Sequence, residues 1–246
     1  MGRHLTSFQL KLIASASMAL DHFAAVVLYA LINRLIAAGQ DITALVHLYD
    51  ILRYIGRLAF PIYCFLLTEG FCHTRSVFRY SLRLGLFAIL SEIPFDLALN
   101  GQVLELYQNN VFFTLLVGLG TMWAIREGKN LLGRCSGKAA ALLGILWTAL
   151  MAVLGYSLAE VLCCDYGGVG VLAIVAIYLL RNWPVTGFLA GVGILSIGNN
   201  IELFALPAVL PVACYSGARG RGGKWWFYLF YPVHLLVFWF VVWLLA

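Results

Sequence analysis

Apolar runs divide this chain at regular intervals. Stretches dominated by Leu, Ile, Val, Phe, Ala and Gly fall at about 9–32, 48–70, 77–98, 109–126, 139–162, 167–180, 185–200, 200–215 and 225–245, with short polar or Gly- and Pro-containing breaks between them. A membrane-spanning helix needs about 20 apolar residues, so the pattern predicts nine spans. The division is weakest in 185–215, where "SIGNNIELFALP" interrupts the hydrophobicity. That segment reads either as two short spans joined by a tight outer turn or as a re-entrant, broken pair. The expected fold class is all-α, a polytopic transmembrane helix bundle of about nine helices. It forms one domain, 1–246, without an internal repeat, low-complexity segment or linker.

Composition agrees with this reading. The chain is 63% hydrophobic and 11% charged, where soluble domains carry roughly a quarter charged residues. A net charge of +5 would suggest nucleic acid as the partner of a soluble protein, but in a polytopic one basic residues mark cytoplasmic loops. No nucleic-acid partner is expected. With the N-terminus in the cytoplasm, Arg3, Lys11, Arg75, Arg79, Arg83, Arg126, Lys129, Arg134, Lys138, Arg181, Arg219, Arg221 and Lys224 all fall at cytoplasmic ends. Arg34 alone lies in an outer loop, and Arg53 and Arg57 lie inside the second span. The alternation supports nine spans, with the C-terminus outside. The six cysteines, Cys64, Cys72, Cys135, Cys163, Cys164 and Cys214, show no C-x-x-C spacing, so no structural metal is expected. The vicinal Cys163 and Cys164 are given no role. An "ASA" at 14–16 mimics a signal cleavage site, but the apolar stretch before it is short for a signal peptide, so the segment reads as a retained first helix.

The chemistry lies in the charges that the apolar runs contain. An ionisable side chain in mid-bilayer costs several kcal/mol unless it has a partner, a hydrated cavity or both. "MALDHFAAVV", 18–27, carries Asp21 and His22. His22 lies eleven residues beyond Lys11, three helical turns, so the two share a face with His22 about 16 Å deeper. Asp21 is rotated about 100° from His22, and its partner is either local or a basic group on another helix. In "RYIGRLAFPIYCFLLTEGF" Arg53 and Arg57 stack at i, i+4, and Glu69 and His73 stack the same way at the inner end. Arg75, Arg79 and Arg83 continue as a basic stripe, which reads either as an anchor to headgroups or as a funnel for a polyanion. In "SEIPFDLAL" Glu92 and Asp96 stack at i, i+4; they either pair with Arg53 and Arg57 or face a substrate. His234, in "FYLFYPVHLLVFW", is near mid-depth, and Tyr231 beside it reads as belt or packing. The outer half adds Glu160, Asp165, Asn199, Asn200 and Glu202.

Together, "ALDHFAAVVLY", "GRLAFPIYCFLLTEGFCHTRSVFRYSLRL", "LFAILSEIPFDLAL", "DYGGVGVL" and "FYLFYPVHLL" resemble the TraX family of membrane proteins, most strongly over 8–98 and 225–240. The named member of that family is linked to N-acetylation of a conjugative pilin subunit. The chain is more distantly similar to the membrane O-acyltransferases of bacterial surface sugars, with Lys11-x10-His22 standing where that family has Arg-x10-His. Lys keeps the charge there but loses the bidentate fork. These resemblances imply an acetyltransferase of the bacterial cytoplasmic membrane that draws acetyl-CoA from the cytoplasm, with His22 as its catalytic base.

On that reading His22, Asp21 and Arg57 form the catalytic set: base, orienting carboxylate and oxyanion stabiliser. Lys11, Glu69, His73, Arg75, Arg79 and Arg83 face acetyl-CoA, the donor. Glu92, Asp96, Asn199, Tyr231 and His234 contact the acceptor, an amine or hydroxyl of a peptide, glycan or lipid, with a pilin-like peptide N-terminus favoured. Two rival classes use some of the same features. A proton-coupled carrier also buries Asp, Glu, His and Arg, but it commonly shows two related halves. A non-catalytic assembly factor for a surface polymer needs no mid-membrane histidine.

Overall fold

A computed structural model of the protein describes residues 4–133 and 138–245; Arg3, Arg134 and Cys135, which enter the sequence reading, lie outside them. Within the described residues the chain forms nine helical segments and no strand, one segment for each apolar run. They are α1 (Ser7–Ala37), α2 (Thr43–His73), α3 (Val77–Phe95, carried on by a π-helical turn, Asp96–Asn100), α4 (Val111–Leu132), α5 (Lys138–Val161), α6 (Gly167–Leu179), α7 (Pro184–Gly198), α8 (Asn200–Ala213) and α9 (Lys224–Leu245).

Among the described residues, five segments are long and apolar enough to cross a membrane: α1, α2, α4, α5 and α9. The other four explain why a count of apolar runs is not a count of full-length spans. α3 has the length but carries Arg79, Arg83 and Glu92. α6 and α7 have 13 and 15 residues, about 20 and 22 Å at 1.5 Å per residue, which is short of a hydrocarbon core of about 30 Å. The ambiguous stretch 185–215 is resolved at Asn199. Its backbone is extended (φ −153°, ψ 120°), and its side chain accepts from the Ile201 N–H to cap α8. Two short helices therefore meet at a tight turn. α8 starts as a 3₁₀ coil over Asn200–Ala208 and ends as an α-helical turn.

Burial sorts the helices. α6 is apolar on every side and is the buried centre, with Val171, Ala173 and Ile174 fully enclosed. α5 buries only Gly155 and Ala159 and turns its leucines outward, as a lipid-facing helix does. The segments alternate in direction between two ends. At one, His4 and Leu5 donate backbone hydrogen bonds to Cys214 O, and the first N–H groups of α1, from Ser7 and Phe8, donate to Ala218 and Arg219 of the α8–α9 loop. At the other, Asn109 bonds the Cys163 and Asp165 backbone. α9 runs parallel to α1: Phe227 packs on Phe8, His234 on His22 and Phe238 on Phe23.

Two irregularities place the site. Pro61 has no N–H to offer Arg57 O, and its ring crowds that carbonyl, so α2 breaks at Arg57–Leu58. The broken turn tightens to i, i+3 bonds, Arg57 N to Tyr54 O and Leu58 N to Ile55 O. Ser17 of α1 donates to the carbonyl of Ile55 at 2.5 Å. In α1, a π-helical stretch, Phe23–Leu28, begins right after His22, the kind of bulge that often re-aims a functional side chain. At the crossing of α1 and α2 sits Gly56, and a Cβ there would fall on the Asp21 carboxylate. Overpacking of this kind costs about 1–3 kcal/mol. Gly56→Ala is therefore expected to lower the melting temperature of the detergent-purified protein. Gly193→Ala, at a helical glycine with open space around it, leaves the temperature unchanged or raises it.

Candidate active site

A cavity of about 1510 Å³ runs through the bundle from one end to the other. It exceeds the 300–1,000 Å³ of ordinary small-molecule pockets and has three parts. At the end shared by Leu5 and Cys214 it is lined by Lys11, His73, Arg75, Arg83 and Arg219; at the opposite end by Asn100, Gln108, Glu160, Asp165 and Asn199. Between them lie Asp21, His22, Arg53, Arg57, Tyr63, Tyr166, Glu202 and Tyr231.

The middle is held by four charges that sum to zero. Arg57 donates through Nη2 to Asp21 Oδ1 at 2.6 Å, through Nη1 to Glu202 Oε1 at 3.1 Å and through Nε to Arg53 O at 3.2 Å. Arg53 Nη1 reaches the other Asp21 oxygen at 2.8 Å. Asp21, Arg57 and Glu202 are buried, so each compensates a desolvation that none could bear alone. The partner of Asp21 is thus on another helix. Glu92 and Asp96 do not pair with Arg53 or Arg57. Nor does Glu69 orient Arg57, whose partners are Asp21 and Glu202. Three of the five guanidinium N–H groups of Arg57 are engaged, leaving two for a ligand.

His22 stands next to this cluster and on the cavity wall. Its Nδ1 lies 2.7 Å from Nε2 of His234, with the two rings edge to edge and nearly coplanar, at an interplanar angle of 6°. Nδ1 of His234 lies 2.6 Å from the Phe230 carbonyl oxygen one helical turn back. Tyr231 packs edge-on against both imidazoles.

The structure brings His22, Asp21, Arg57, Lys11, Glu69, His73, Arg75, Arg83, Asn199 and Tyr231 to one cavity. It does not bring four others to that wall. Arg79 is exposed on the outer face of α3. His234 sits behind His22. Glu92 accepts hydrogen bonds from Asn110, the N-cap of α4, and so ties α3 to α4. Asp96 accepts from Asn100 Nδ2 and from the Glu105 N–H, which closes the turn after α3. Sequence reasoning did not place Arg219, Tyr63 or Tyr166 in the site. Arg219 sits in "SGARGRGGK", a glycine-rich basic loop that also reads as an ordinary positive-inside signal. Tyr63, hydrogen-bonded to Ser15 at 2.7 Å, and Tyr166, stacked on Phe60, have no local signal. Among the described residues, no group of three or more His, Cys, Asp or Glu is placed to hold a metal ion.

Lysine and arginine at one mouth suit a phosphate-bearing molecule, and an imidazole at the middle suits proton transfer. Helices of spanning length, an outward-facing α5 and this buried polar cavity define, among the described residues, an all-helical polytopic membrane protein with a polar cavity inside the bundle. The family model described as TraX protein matches residues 7–242, so the chain belongs to the TraX family. It is also similar to a Dichelobacter nodosus protein named "Probable fimbrial assembly protein FimC, serogroup H1", with 29% identity over 258 residues, covering 94% of this chain and 93% of that one. No solved structure matches.

Removing one partner of a buried ion pair costs about 3–5 kcal/mol, against about 1 kcal/mol or less for an exposed one. Arg57→Met leaves Asp21 and Glu202 buried with one remaining cation. Arg53 keeps 27% of its side chain exposed, so Arg53→Met leaves Asp21 still paired to Arg57. Thermal unfolding in detergent is expected to show the larger loss for Arg57→Met.

Proposed function

We propose that the protein is a membrane-embedded acetyltransferase that takes acetyl-CoA at the basic mouth and passes the acetyl group to an amine or hydroxyl presented from the opposite end. The observation that carries this reading is the position of His22: an imidazole on the wall of a through-running cavity, between a cationic mouth and a mouth of carboxylates and amides.

The basic mouth faces the cytoplasm, by the positive-inside rule, which puts the N-terminus inside and the C-terminus outside a bacterial cytoplasmic membrane. Lys11, Arg75, Arg83 and Arg219 hold the phosphates of CoA, with Arg219 fixed by the backbone bonds between its loop and the start of α1. The thioester then reaches inward toward His22. An alcohol is a poor nucleophile, and an amine attacks only after its ammonium form has lost a proton to water, so His22 removes the proton that the neutral acceptor sheds as it attacks the thioester carbonyl. Arg57, with two N–H groups free, stabilises the oxyanion in a site of low dielectric. Collapse breaks the C–S bond, and the proton on His22 passes to the departing thiolate, so CoA leaves as the free thiol.

Asp21 acts by holding Arg57 and Arg53 in place, a different role from the His22 partner that sequence adjacency suggested. The name of the Dichelobacter relative favours an acceptor in fimbrial assembly, and a pilin-like peptide N-terminus meets both the chemistry and the polar far mouth. The same name is compatible with a second reading, an assembly factor without catalysis, for which the chemistry of His22 is irrelevant.

The two readings separate on one assay. Sealed inverted membrane vesicles, with their former cytoplasmic face outward, receive labelled acetyl-CoA from outside and carry a panel of peptide, glycan and lipid acceptors within. Label is expected on an acceptor, and His22→Ala or His22→Gln in normally inserted protein is expected to cut transfer by about 100-fold or more. Full transfer by either variant, or transfer to no acceptor class, sinks the acetyltransferase reading.

A further inference from the structure

The proposed chemistry leaves the buried contact between His22 and His234 without a role. We infer that His234 is a positioning residue that sets the tautomer of His22, so that Nε2 is the nitrogen that takes the acceptor proton. This rests on the acetyltransferase reading for its consequence, but not for its geometry.

The proton inventory follows from the acceptors. The Phe230 carbonyl has no proton to give, so the 2.6 Å contact with His234 Nδ1 requires a hydrogen on that nitrogen. A neutral imidazole carries one N–H, so Nε2 of His234 is then a bare lone pair. The 2.7 Å contact between His234 Nε2 and His22 Nδ1 therefore takes its proton from His22. His22 is left with Nδ1 protonated and Nε2 unprotonated, and of the two rings His22 is the one that lines the cavity. The chain of donors runs one way, from the cavity toward the α9 backbone.

Nothing nearby competes for this role. Both oxygens of Asp21 are committed to Arg53 and Arg57. Rings surround the pair: Tyr231 packs against both imidazoles, Phe230 stacks on His234 at 4.8 Å, and Phe238 meets its edge at 5.7 Å. His234 itself is 7% exposed, so its hydrogen-bond partners are protein groups.

In the transfer step, the acceptor N–H or O–H proton goes to His22 Nε2 as the new C–N or C–O bond forms, and leaves it for the CoA sulfur as the C–S bond breaks. The Nδ1–H bond to His234 persists throughout and spreads the transient positive charge over two rings. A base held in the wrong tautomer presents an N–H to the acceptor where a lone pair is needed, and losses of this kind reach several orders of magnitude.

The test has a spectroscopic arm and a kinetic arm. Nitrogen-15 NMR of the wild-type protein, labelled at histidine and placed in nanodiscs, is expected to show neutral His22 and His234 both protonated at Nδ1. An Nε2–H signal for His22 overturns the inference whatever the activity. In the kinetic arm, His234→Leu removes the acceptor for His22 Nδ1–H, while the carboxamide oxygen of His234→Gln can replace it. kcat is expected to fall about 100-fold in His234→Leu, with KM for acetyl-CoA within about twofold, and to recover most of that loss in His234→Gln. If His22→Ala is inactive and His234→Leu turns over like wild type, the positioning role fails and the acetyltransferase reading stands. If His22→Ala is active, that reading fails, and the NMR result alone decides the tautomer.

Discussion

Arg57 suspended between Asp21 and Glu202 is the constraint on which the rest of the site depends. A guanidinium inside a bundle of apolar helices is tolerable only when it is neutralised and hydrogen-bonded at close range. The chain meets that demand from three helices, α1, α2 and α8. Several features that look unrelated in sequence serve this one arrangement. Pro61 breaks α2 at Arg57. Ser17 of α1 adds a second hydrogen bond to the Ile55 carbonyl at the break. Gly56 has no Cβ, so Asp21 can press against the backbone of α2. The turn at Asn199 folds α8 back far enough to bring Glu202 to the cluster.

The cluster leaves a polar, unfilled interior where an ordinary helix bundle would be packed solid. Around it the cavity acquires two different mouths, one cationic and one built of carboxylates and amides, with His22 between them. The asymmetry gives the site a direction along the membrane normal. Glu92 and Asp96 show what charge does elsewhere in the same bundle: each fixes a local turn or cap, and neither reaches the cavity. Charged pairs at the same i, i+4 spacing thus have structural uses on α3, as Glu92 and Asp96, and site-building uses on α2, as Arg53 and Arg57.

The nine helices were legible because apolar runs and turn residues act locally, within a few positions. Even the kink is written in "GRLAFP", four residues apart. What sequence conceals is pairing at a distance. Asp21 and His22 are adjacent, which invites a dyad, yet a helix points them about 100° apart and their partners lie 32, 36 and 212 positions away. Glu202 is 145 residues from Arg57, in a segment whose broken hydrophobicity signalled only that something polar was there. The basic stripe was visible as well, but it does not act as one: Arg75, in the turn before α3, and Arg83 line the cavity, while Arg79 does not. Arg219 joins them from a loop that topology alone would explain.

The most direct measurement is a cryo-electron microscopy map of the protein with a non-hydrolysable acetyl-CoA analogue. The account predicts the nucleotide phosphates among Lys11, Arg75, Arg83 and Arg219, and the carbonyl of the thioester mimic near His22, leaving room for an acceptor atom within about 3.5 Å of both that carbon and the imidazole. Density for the analogue outside the cavity, or a bundle in which Arg57 no longer bridges Asp21 and Glu202, would contradict it.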